Sequence, residues 1–148
     1  MSNRWRCAAG LILPVVLMTA AFAPRPADSV DRALAWLHGQ QQADGGFSNG
    51  FTPGSDPGAT SDAVLAIVAA GEDPAAWSGP GASPLDFLAG AVGAGGVAGP
   101  GAGAKVALAM LAAGADPRSV GGHDLADEIA QGFDPATGFF GLGPYDSA

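Results

Sequence analysis

Two twelve-residue stretches, 63–74 and 106–117, repeat each other at an offset of 43 residues. Seven of the twelve positions are identical, and Gly71/Gly114, Asp73/Asp116 and Pro74/Pro117 fall in register. Alanine-rich composition alone produces alanine matches. It does not place a Gly and an Asp-Pro in step. The chain is therefore built from copies of one small unit, and a helical unit of this size cannot bury both its faces alone. Stacking neighbours is the solution open to it.

The rest of the unit follows from spacing. Val30, Ala33, Leu34 and Leu37 recur at helical intervals, which predicts a helix over 30–42 with Ser29 as its cap. A second helix is expected from Ser61 or Asp62 to Ala70, stopped by Gly71 with Pro74 beyond. Ser83 and Pro84 open a third, carrying Leu85, Leu88 and Val92. Residues 105–113 read as a fourth, closed by Gly114 and Pro117, and 124–131 as a fifth. No stretch alternates with period two for long enough to predict a sheet. The spacing Leu37-x3-Gln41-x3-Gly45-x-Phe47 is echoed by Phe87-x3-Ala91-x3-Gly95-x-Val97 and more weakly by Ile129-x3-Phe133-x3-Thr137-x-Phe139. Each unit is thus a helix, a Gly turn ending in an apolar plug, a second helix and a Gly/Asp-Pro stop. The expected fold is all-α: alanine-rich helices such as 63–70 in an inner layer, mixed-polarity helices such as 30–42 outside. Such a double layer is either an open solenoid or part of a closed ring.

The first 23 residues stand apart. Arg4 and Arg6 precede an uncharged apolar run over 8–23, sixteen residues long, which is short for a membrane span and suits a signal peptide. Ala21-Phe22-Ala23 is a small-x-small cleavage site, although Pro24 follows it directly. Residues 1–23 are read as a signal peptide or N-terminal anchor, 24–28 as a linker and 29–148 as the repeat domain. Cys7, the one cysteine, falls in the leader, so the remainder has no thiol chemistry. Without the leader, four basic residues face fourteen acidic ones. A chain this acidic repels phosphate backbones, which argues against nucleic acid as a partner. The expected location is extracellular, cell-surface or periplasmic, with membrane attachment through residues 4–23 if the leader is retained.

The Leu37, Gln41, Gly45 and Phe47 motif resembles the repeat of squalene and oxidosqualene cyclases, in the terpene cyclase and protein prenyltransferase superfamily of α/α toroids. In that family the closing aromatic is usually Trp; here it is Phe47, and the upstream basic-Gly pair is absent. The resemblance spans roughly residues 29–148 and is best in the first unit. It implies that Gln41 ties a helix end to its neighbour with Phe47 beneath, and that this chain supplies an incomplete ring of about five helices. Two functions are implied. One is a non-enzymatic module that binds a ligand or serves as a surface scaffold, as in the secreted cobalamin-carrier toroids. The alternative is the N-terminal part of a cyclase-like enzyme; a third reading is a fragment without activity of its own.

The chemistry is sparse. Cyclases of this kind use an Asp-rich acid cluster; Asp124, Asp127 and Glu128 come nearest, in the wrong order, and read as a solvated helix face. A prenyltransferase zinc site needs a Cys that the mature chain lacks. His38 and His123 read as surface or cap histidines. Asp44, Asn49, Asp56 and Asp62 surround one Gly-rich loop and form a weak calcium candidate; turn chemistry for Asp44 and Asp56 and an N-cap for Asp62 are the favoured reading. Thr60, Ser61 and Asp62 begin an inner helix, which in the resembling toroids lines the cavity mouth, and they are the ligand-binding candidates. Residues 90–104 read as a flexible Gly-rich turn without a phosphate-loop pattern. Trp36 and Trp77 are candidate cavity aromatics, with burial in the helical interface the favoured reading. No catalytic residue and no cofactor is expected, and a small-molecule ligand is the expected partner.

Overall fold

In a computed structural model, which describes residues 27–78 and 81–141, the chain is mostly helical. Five helices follow in order: α1 (Ala27–His38), α2 (Pro57–Ala69), α3 (Pro84–Gly93), α4 (Pro100–Ala112) and α5 (Leu125–Gln131). The leader falls on residues outside the described ones. Among the described residues no helix is long and apolar enough to cross a membrane.

The repeat governs structure more tightly than the aligned stretches imply. α2 and α4 begin and end at an offset of 43, and so do the short 3₁₀ turns Pro74–Ala76 and Pro117–Ser119 that follow them. Each inner helix stops the same way. Gly71 and Gly114 take φ of 88° and 79°, and the amides of Glu72 and Ala115 donate back to the carbonyls of Ile67 and Met110 at 3.1 and 2.9 Å. Asp73 and Asp116 then cap the 3₁₀ turns by accepting from the amides of Ala75 and Arg118, both at 2.9 Å.

Both inner helices start about one turn earlier than the spacing predicts. Asp56, not Asp62, caps α2: its side chain accepts from the Ala59 amide at 2.8 Å, and Pro57 sits in the first turn where its missing N–H costs nothing. α4 starts at Pro100 behind Gly99, so the stretch 90–104 is not a flexible turn. Its ends belong to α3 and α4. α1 takes in Ala27 and Asp28 from the expected linker and places Ser29 inside the helix. It ends at His38 because Gly39 follows, which leaves Gln41 beyond the helix rather than in its last turn. α3 opens with a reciprocal cap, Ser83 to the Asp86 amide and Asp86 to the Ser83 amide. The expectation of no sheet is corrected in a small way: β1 (Phe133–Asp134) and β2 (Phe139–Phe140) pair antiparallel, Phe133 opposite Phe140.

α2 and α4 lie side by side, with α3 packed on α2 and α5 on α4. One buried cluster, including Val64, Leu88, Val106, Ala109 and Met110, joins α2, α3 and α4. A second, Phe47, Ala63, Ile67 and Trp77, seats α1 through Leu34 and Leu37. Lys105 on α4 donates to Asp62 on α2 at 2.8 Å, and these two residues occupy the same position of the repeat.

Candidate functional site

The loop after α1 is built around Gln41. Its Nε2 donates to the Gly45 carbonyl at 3.1 Å and to the Trp77 carbonyl at 2.7 Å, which clamps the turn to the segment that follows α2. Its buried Oε1 has no protein partner among the described residues. Gly45 has φ of 86°, and a β-carbon there would meet the Ser83 and Ala82 carbonyl oxygens at 2.5 and 2.6 Å, so the turn lies directly against the start of α3. Phe47 is 4% exposed and plugs the second cluster. Trp77 is buried as expected, donates from Nε1 to Glu72 at 2.7 Å and packs against His38 with ring centroids 4.9 Å apart and planes tilted by 41°. Trp36 is not in the interface. It is 66% exposed.

The polar trio separates. Thr60 and Ser61 are fully buried. Thr60 Oγ1 accepts from the Phe47 amide at 2.9 Å and donates to the Asp56 carbonyl at 2.8 Å, while Ser61 Oγ donates to the Pro57 carbonyl at 2.8 Å. They lie inside the first turns of a helix that starts earlier than expected, so they hold the plug loop and back-bond the helix. Asp62 alone of the three reaches the surface.

The weak calcium candidates are taken up by local bonds. Asp44 Oδ1 accepts from Ser55 Oγ at 2.7 Å and from the Gly46 amide at 3.1 Å. Asn49 Oδ1 accepts from the Phe51 and Thr52 amides, and Asp56 is the α2 cap. Among the described residues no group of three His, Cys, Asp or Glu side chains is placed to hold a metal. The acidic run after His123 is likewise structural. Asp124 caps α5 through the Asp127 amide at 2.9 Å and receives Arg118 at 3.0 Å. The amide bond leads in holding its carboxyl below the ordinary value, and Arg118 adds to it. Glu128 meets His123 Nδ1 at 2.7 Å.

Among the cavities of the described residues, one of about 200 Å³ lies by His123 and Glu128, a shallower one of about 460 Å³ by His38 and Glu72, and the most apolar is a groove of about 400 Å³ between α1, the plug loop and the free flank of α2. Trp36, Leu37 and Phe47 form one wall and Ala59, Ala63 and Ala66 the other, with Asp62 at the rim. Sequence reasoning found Asp62 but missed the alanines. The sequence carries no signal that separates them: Ala66 and Ala109 occupy the same repeat position, yet Ala109 is fully buried while Ala66 is exposed. On the far side of α4 the converse holds. Leu108 and Leu111 are 55% and 61% exposed, although their equivalents Leu65 and Val68 pack into the first cluster. Comparison with known proteins matches this chain to no family model, no curated protein and no solved structure.

Proposed function

We propose that this chain is an exported, non-enzymatic helical-repeat module of α/α-toroid type, and that it works as a docking scaffold. The observation that carries this is the contrast between Ala109 and Ala66. One repeat position is covered by a neighbouring inner helix in the second unit and left bare in the first, beside an apolar groove. Apolar surface gathered between built walls marks a place for a partner. An acidic remainder suits a protein that stays soluble outside the cell while presenting that surface. The size and apolar lining of the groove support a second reading, a small apolar ligand in place of a macromolecular surface.

The test is saturable binding of a neutral apolar dye, Nile red, to the purified protein. Ala66→Glu places a charge in the groove at an exposed position and is expected to weaken dye binding by about tenfold with the helical content unchanged. Non-saturable binding, or binding indifferent to Ala66→Glu, overturns the reading. Intact mass of the secreted protein tests export and the position of the leader cut.

A further inference from the structure

We infer that the partner is a second copy of this chain, set head to tail so that α4 of one protomer lies in the α1–α2 groove of the next. The inference rests on the docking-scaffold reading and adds the identity of the occupant. Its basis is the α2–α4 contact already inside the molecule. There Leu65 and Val68 of α2 and Ala109 of α4 pack into one cluster. Shifted by one repeat, the same surfaces exist unpaired. α4 carries Ala104, Leu108 and Leu111 where α2 carries Ser61, Leu65 and Val68, and α2 carries Ala66 where α4 carries Ala109. The two open flanks are therefore the two halves of an interface that the protein already forms.

Charge agrees with shape. Within the molecule Asp62 of α2 pairs with Lys105 of α4 at 2.8 Å. In the head-to-tail contact, Lys105 of one protomer stands at the repeat position of Asp62 and faces Asp62 of the next, so each Lys105 is shared between its own Asp62 and its neighbour's. Lys105 is the one lysine in the sequence, and in a chain of net charge −8 it stands at the point where two copies must approach. Leu108 and Leu111 supply apolar side chains for a groove whose walls are Leu37, Phe47, Ala63 and Ala66. Because the two surfaces differ, the contact is heterologous. It adds copies in sequence until a ring closes or a fibre grows, rather than stopping at a symmetric dimer.

Sedimentation velocity of the chain as purified after export reads this directly. Interfaces of one short helix pair are weak, so concentrations up to about 1 mM are needed. The wild type is expected to show concentration-dependent species beyond the dimer. Leu108→Glu with Leu111→Glu blocks the α4 flank and Ala66→Glu blocks the groove. All three positions are exposed, so circular dichroism should show unchanged helix content, while each variant alone loses at least about tenfold in association. Mixed in equal amounts, the two variants retain one intact flank and one intact groove and are expected to form a 1:1 dimer that grows no further. A mixture that stays monomeric, or either variant dimerising alone, overturns the inference. A monomeric wild type that still binds Nile red in the groove overturns the second copy and leaves the docking scaffold standing; loss of both overturns both.

Discussion

Replacing Gly45 by Ala separates two costs that the structure places on glycine. At Gly45 the backbone is left-handed, φ 86°, and a β-carbon would sit 2.5 Å from the Ser83 carbonyl oxygen and 2.8 Å from the Ala82 carbonyl carbon. At Gly114 the backbone is equally left-handed, φ 79°, but nothing lies within 4 Å of the added carbon. Gly114→Ala therefore carries conformational strain alone, about 1 kcal/mol. Gly45→Ala carries that strain plus the displacement of rigid backbone at the start of α3, typically a further 1–3 kcal/mol, for a total of about 3 kcal/mol. In urea denaturation followed by circular dichroism the two variants should differ by about 2 kcal/mol. The larger loss corresponds to a fall in melting temperature of roughly 10 °C. Equal effects at the two sites would refute the close approach between the plug loop and α3, and with it the account of how successive units are joined. No effect at Gly114 would refute the shared Gly stop of α2 and α4.

Three further outcomes follow from single contacts. Thr60→Val keeps the shape of the side chain but removes the acceptor for the buried Phe47 amide, so stability should fall by about 2 kcal/mol in urea while Thr60→Ser retains most of it; a neutral Thr60→Val would mean the plug loop is not held there. The Asp86 carboxyl is held below its ordinary value of 3.8, first by the Ser83 hydroxyl and then by the Ser83 amide. A depressed folded value means its contribution is complete above about pH 4 and is lost as pH falls through the folded value, so Asp86→Asn should flatten the acid limb of the stability profile and leave its shape at pH 5–8 alone. Asp44→Asn, Asp56→Asn and Asp62→Asn together should leave the chain folded in calcium-free buffer, and calcium should not raise the melting temperature of the wild type; a large calcium-dependent rise would contradict the turn, cap and ion-pair roles given to these carboxylates.

The helical class and the order of elements were legible because the period-3.6 pattern and the Gly/Asp-Pro stops are local signals. The stops after Ala70 and Ala113 are set by glycine's access to positive φ and by Asp caps, and neither depends on tertiary context. Helix starts were harder. Pro57-Gly58 and Pro100-Gly101 have the composition of loops, yet each opens a helix because proline's fixed φ suits the first turn and packing offsets the entropic penalty of glycine. That one-turn shift changes the meaning of Thr60 and Ser61, which move from a rim to the interior, and of Asp62, which moves from cap to inter-helix ion pair. The hairpin at Phe133 and Phe140 was not legible, since two residues per strand leave no alternation to read. The open flanks were invisible for a different reason. Ala66 and Ala109 are the same residue in the same motif, and only the arrangement of neighbours distinguishes the bare one from the covered one.

Thiol labelling at those two positions tests the central claim directly. In a Cys7→Ser background, the Ala66→Cys chain and the Ala109→Cys chain are compared for their rate of reaction with a maleimide in dilute native solution. The stacked-repeat account predicts that the thiol at 66 reacts like a free thiol and that the thiol at 109 reacts at least about a hundredfold more slowly, through opening of the α2–α4 contact. Similar rates at the two positions would contradict it.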